Sequence, residues 1–338
     1  MRSRTIAAAG LVAIVIAVSV VAVAGQSSTS GASGATPRTA WGAPDLQGVW
    51  GFATVTPMER PTELAGKSVL TDAEAAEVER QATRSRPGND LPPAEGNPGT
   101  YNDFWWDRGT KVVGDKRTSL VVDPPDGRIP AFTAEAQQRQ AAAAAARRGA
   151  GPDEPSPGGF VEDLGPGGLR VRCILGFNSG PPMTPSAYNN NMQLFQTRDW
   201  IVILNEMNHN ARVVAMDGRP HLGSNLRQWV GDSRGRWEGD TLVVETTNFL
   251  RETMFPNSSA NLHLVERFTR EDAGTLLYAV TVTDPTTWTR PWTFEVPMTL
   301  SDGRVYEYAC HEGNYGLFNI FSGALAGAQG DEAKKGSK

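Results

Sequence analysis

Four histidines stand in this chain, His209, His221, His263 and His311, and none falls in the first two hundred residues. Carboxylates lie close to them in sequence: Glu206 precedes His209 by three residues, Glu266 follows His263 by three, and Glu312 follows His311 directly. Imidazole exchanges a proton near neutral pH, and a neighbouring carboxylate orients it and raises its basicity. These seven residues are therefore the candidate catalytic groups. The chemistry they suit is acid–base work on a small oxygenated substrate, carbohydrate- or terpenoid-like, by a lyase, isomerase or hydrolase. No cofactor is expected, and a divalent metal held by the same histidines is the minor alternative. Neither an HExxH pair nor an EF-hand loop occurs. On a regular strand His263 and Glu266 point to opposite faces, as do His311 and Glu312, so any partnership must cross strands or use a bulge. The plain alternative has the histidines capping turns and bonding backbone.

Aromatic residues supply candidate substrate contacts. Trp105 and Trp106 close the cluster Tyr101-Asn102-Asp103-Phe104-Trp105-Trp106, and Tyr278, Trp288, Trp292, Tyr306 and Tyr308 sit on later strands beside carboxylates. Glu245, Glu266, Arg267, Asp284, Glu295 and Glu307 interrupt otherwise apolar strands. A charge turned into a packed interior costs on the order of several kcal/mol unless paired, so these groups either face solvent or line a polar cavity. Three look-alikes fail. Gly231-Asp232-Ser233 lacks the Asp-x-x-His of SGNH esterases, because Tyr308 stands three before His311. It also lacks the far-upstream His and Asp of chymotrypsin-like proteases, which leaves Ser233 a turn residue. Gly66-Lys67-Ser68 has Pro61 where a phosphate loop needs its first glycine.

The elements that must position these groups are mostly strands. Alternating or β-branched runs place strands near 192–196, 200–206, 211–216, 225–230, 241–248, 262–270, 275–284, 291–300 and 304–312, with an opening strand over 45–52. Within 228–249, Gly231, Gly235 and Gly239 read as hairpin turns, giving a strand, a short strand and a long strand. Short connections predict antiparallel neighbours, and a series this long removes its edges by closing. The predicted fold class is mainly β, an antiparallel up-and-down barrel, with helical and Pro/Gly-rich insertions at about 60–168. A capping box at Thr71-Asp72-Ala73-Glu74 opens a helix to about Arg84, and an Ala/Gln-rich helix spans 133–148.

Gly48-Val49-Trp50 resembles the Gly-x-Trp on the first strand of lipocalins, where the tryptophan plugs one barrel end. The combination PDLQGVW (44–50), MDGRPH (216–221), GDSRGRWEGDTLVV (231–244), ERFTR (266–270) and CHEGNY (310–315) resembles a group of exported bacterial proteins without an assigned activity. That resemblance implies a lipocalin- or calycin-like barrel and leaves the chemistry open.

Arg2 and Arg4, the apolar run Ala7 to Val23 and Ala22-Val23-Ala24 form a secretory signal peptide. The chain is therefore expected to be exported, periplasmic or secreted, with 1–24 removed, 25–40 a disordered tether, 41–320 one barrel domain and 321–338 a flexible tail. Its 32 basic and 37 acidic residues give net −5, which becomes −7 without the leader. Such a charge gives no reason to bind nucleic acid or anionic membrane, so the expected partner is a small-molecule ligand or substrate. Cys173 and Cys310 are the only cysteines, and export makes a disulfide between them the leading reading. The rival functions are a non-catalytic small-molecule-binding barrel and, after it, a protein-docking domain.

Overall fold

The computed structural model describes residues 36–84, 108–147, 169, 173–250, 255 and 257–310, then 312, 315, 318, 319, 322, 323 and 325–327. The strands are β1 (Gly48–Gly51), β2 (Val121–Asp123), β3 (Asn191–Gln196), β4 (Trp200–Asn205), β5 (Ala211–Ala215), β6 (Asp232–Glu238), β7 (Thr241–Thr247), β8 (His263–Arg270), β9 (Thr275–Thr283) and β10 (Trp292–Ser301). Nine of them close a barrel in the order β1-β3-β4-β5-β6-β7-β8-β9-β10, and β10 pairs back onto β1. Strand β2 adds beside the upper part of β10. The helices are α1 (Asp72–Arg84) and α2 (Ala134–Arg147).

Period-two patterning accounts for the wall. Burial alternates strictly along β9 and over most of β8 and β10, with Leu264, Phe268, Tyr278, Val280, Phe294 and Val296 turned into one continuous core. At one barrel end Trp50 is fully buried, donates through Nε1 to Leu46 O at 2.9 Å and lies under the Arg270 guanidinium. Met183, from the segment 176–190, is buried in the same core.

Four strand expectations change. Residues 232–238 form one unbroken strand in which Gly235 is interior. A Cβ there would lie 2.3 Å from Met216 Sδ, so this glycine marks a close approach rather than a turn. Ser233 is consequently a buried strand residue bonded to Thr246 Oγ1 at 2.9 Å. Residues 225–230 contribute only a bridge between Gln228 and Phe249, and 304–310 is a strap outside the sheet. The barrel is mixed, because β5 meets β6 in parallel at Ala215 and Arg234. The connection 216–231 is long enough to run back along the strands, which a tight hairpin cannot do.

The helices follow their local signals. Thr71 Oγ1 accepts from Glu74 N, and Glu74 accepts from Thr71 N at 2.8 Å, a reciprocal capping box. Lys67 first, then Thr71, hold the Glu74 carboxyl down at about 2. Thr133 Oγ1 caps α2 by accepting from Ala136 N.

Candidate functional site

Alternation decides which face each charged group occupies. On β6, Ser233 and Gly235 point inward, so Asp232, Arg234, Arg236 and Glu238 line the outer wall. Glu245 lies opposite Arg234 in the β6–β7 register and opposite Val265 in the β7–β8 register. His263, two residues before Val265, therefore reaches it diagonally: Nε2 meets Glu245 Oε1 at 2.8 Å. Arg236 Nη1 stands 3.6 Å from the other oxygen. The connection 216–231 brings His221 onto the same wall, with Nδ1 2.9 Å from Asp232 Oδ2. Asp232 is buried and also accepts from Arg234 Nη1 at 2.6 Å and Leu222 N at 3.0 Å.

The result is a patch with two histidines, each on its own carboxylate. His263 is the largest cause of a Glu245 carboxyl held below its usual range, and His221 is near enough to add to the effect. Because Asp232 and Glu245 accept, the bonded imidazole nitrogen donates in each case. His221 Nε2 and His263 Nδ1 have no protein partner among the described residues. A carboxylate-oriented imidazole with its far nitrogen free is the arrangement a general base requires.

The other sequence candidates are distributed elsewhere. His209 Nε2 accepts from Tyr308 N at 2.7 Å, while Glu206 accepts from Asn191 Nδ2 at 2.8 Å and Tyr306 N at 3.3 Å. Both thus clamp the strap 304–310, whose Cys310 forms a disulfide with Cys173 across a Cα separation of 6.0 Å. Tyr308 stacks on Tyr188, Tyr306 is 71% exposed, and Glu312 is exposed. Trp288 and Trp292 are buried in an aromatic cluster with Phe132, Phe255 and Phe294. His311, Trp105 and Trp106 lie outside the described residues. No group of three or more His, Cys, Asp or Glu among the described residues is arranged to hold a metal ion.

Glu266, the sequence neighbour of His263, faces the opposite way. It is fully buried inside the barrel and forms a bidentate pair with Arg212, whose Nη2 donates to Oε1 at 2.8 Å. Tyr278 Oη donates to the same Oε1 at 2.7 Å and accepts from Met183 N at 3.1 Å. Burial first, and then the Glu266 charge, raise the Tyr278 phenol well above its ordinary range. Burial opposes the charge on Arg212, and Glu266 outweighs it, so the guanidinium is held more firmly protonated than usual. Together with Thr246 and Ser233 these side chains form a polar belt across β5 to β9. The barrel interior there is occupied by its own side chains.

Asp232 and Arg212 are the residues that sequence reading missed. Asp232 lay in plain view within Gly231-Asp232-Ser233, and its distance of eleven residues from His221 hid the pairing. Comparison with protein-family models, with curated proteins and with solved structures finds no match for this chain.

Proposed function

We propose that this is an exported enzyme that performs acid–base chemistry on a small oxygenated substrate at the outer wall of β6–β8. The observation that carries the reading is the pairing of His221 with Asp232 beside that of His263 with Glu245 on one patch of wall. One neutral and one protonated imidazole make an acid–base pair. His221 Nε2 removes a proton from carbon next to a carbonyl or bearing a hydroxyl, with Asp232 stabilising the imidazolium that forms. A protonated His263, stabilised by Glu245, delivers its Nδ1 proton to a neighbouring carbon in an isomerisation, or to a departing oxygen in an elimination. Each turnover then moves one proton off and one on, and exchange with water resets the pair.

An interior filled by the Arg212–Glu266–Tyr278 network supports a site on the wall over a carrier cavity within the barrel, and closure of the sheet speaks against docking through a free edge. The same proposal treats the barrel as a calycin relative, supported by the seat of Trp50 under Arg270. The Cys173–Cys310 disulfide supports an oxidising compartment.

The test is turnover by the purified protein on a panel of lactones, hydroxy-ketones, sugars and terpene alcohols, with H221A/H263A as the blank and H209A as the structural control. Turnover lost in the double variant and kept in H209A is the expected result. No turnover on any class, or turnover that survives the double variant, removes the proposal.

A further inference from the structure

A second buried arginine, remote in sequence from the proposed site, has no carboxylate partner among the described residues. Arg60 is 8% exposed. Its Nε donates to Thr118 Oγ1 at 2.9 Å, and Nη2 makes a single long contact of 3.4 Å with Pro125 O. Nη1 has no protein partner among the described residues, yet it is not among the atoms sealed from solvent. The nearby described carboxylates make other contacts. Glu59 pairs with Arg128 Nε at 3.3 Å and accepts from Ile129 N, Asp126 accepts from Arg128 N, and Asp123 pairs with Arg290.

Arg60 lines a cleft of about 730 Å³ together with Pro61, Thr62, Ala65, Ser68 and Pro125, with Asp126 and Arg128 also contributing. The Arg60 backbone is fixed at both its N–H and its carbonyl. Arg60 N donates to Gly127 O at 2.8 Å, and Arg128 Nη1 donates to Arg60 O at 2.8 Å. Gly127 has φ +72°, and a Cβ there would fall 2.4 Å from Ser119 Oγ and 3.0 Å from Arg60 Nη2. Glycine at this position is what lets the guanidinium lie where it does. Lys67, beside the cleft in sequence, is occupied by Glu74 and does not serve the site.

A charge taken out of water needs a partner of opposite sign. We infer that the Arg60 cleft is a binding site for a small organic carboxylate with a compact apolar body. Nη1, without a partner among the described residues, and Nη2, which holds only the long contact to Pro125 O, would meet the two oxygens of a carboxylate. Ser68 adds a hydroxyl group, and Pro61, Ala65 and Pro125 provide the surface for the apolar part.

The experiment is calorimetric titration of the full mature chain with benzoate and, separately, with inorganic phosphate. Benzoate binds saturably with one site per chain. Affinity falls at least about tenfold in A65W, which fills the cleft from an exposed position and leaves the Arg60 side chain itself unchanged, and comparably in R60K, which keeps the charge and loses the fork. H221A/H263A leaves benzoate binding unchanged. Absence of saturable benzoate binding at millimolar concentration, or undiminished binding in A65W, overturns the site. Phosphate bound more tightly than benzoate overturns the carboxylate assignment.

Discussion

Arg212 and Arg60 are both more than nine-tenths buried, and the regions around them treat the charge in opposite ways. Inside the barrel, Arg212 meets Glu266, and Tyr278 occupies a further position on that carboxylate. In the cleft beside the barrel, Arg60 has one hydroxyl and one carbonyl and no carboxylate among the described residues. A closed interior must neutralise its charges from its own strands, because nothing else reaches them. A cleft can leave that task to a ligand. Burial of a charge is thus a question about its surroundings, and the same residue type serves as an internal tie in one region and as a recognition group in the other.

The comparison is broken most severely at Glu266. E266Q leaves Arg212 buried against a neutral amide and should lower unfolding stability by about 3–5 kcal/mol, read from urea denaturation with the slope unchanged. Saturating benzoate sharpens the other side: at a hundred times its dissociation constant it should stabilise the native chain by about 2.7 kcal/mol, with no gain in A65W. Y278F removes one hydroxyl that both donates to Glu266 and accepts from Met183, and should cost about 1–2 kcal/mol by the same denaturation. R60M, in contrast to any lesion at Glu266, should change the stability of the unliganded chain by no more than about 1 kcal/mol, because the lost Thr118 bond is offset by relief of an unpaired buried charge.

The smallest effect belongs to the outer wall. Glu245 titrates lower folded than unfolded because His263 holds its charged form. Its contribution is therefore complete above the ordinary carboxylate pKa and is lost as pH falls through the depressed folded value. The pair is over a third exposed, so solvent screening keeps the contribution below about 1 kcal/mol. Carboxyl carbon NMR should place the Glu245 midpoint below 4.5, and H263Q should raise it towards that value.

Much of the scaffold was legible in local pattern. Alternation marked β8, β9 and β10, whose inner and outer faces fall as the sequence implies. The Thr71–Glu74 capping box started α1, and the lone cysteine pair met as expected. Local pattern misread Gly235, because a glycine that admits a neighbouring Met216 looks the same in sequence as a glycine that turns a hairpin. It also missed the parallel junction of β5 and β6, since a long connection is compatible with either direction. In the candidate site, His221 and His263 were visible by residue type, and Glu245 had been noticed only as an acid on a strand. Glu266 stands three residues from His263, and strand alternation puts it on the opposite face, where it meets Arg212.

The sequence alone determined the strongly periodic strands β8 to β10, the start of α1, and which residues could handle protons, because these follow from side-chain chemistry at periods of two and 3.6 residues. Tertiary structure alone decided the partners: His221 with Asp232, His263 with Glu245, Arg212 with Glu266, and Arg60 with a hydroxyl and a carbonyl. Each of these depends on register between strands, or on the path of a connection across the wall. Register is set by the closing of the whole barrel, and no short stretch of chain contains it.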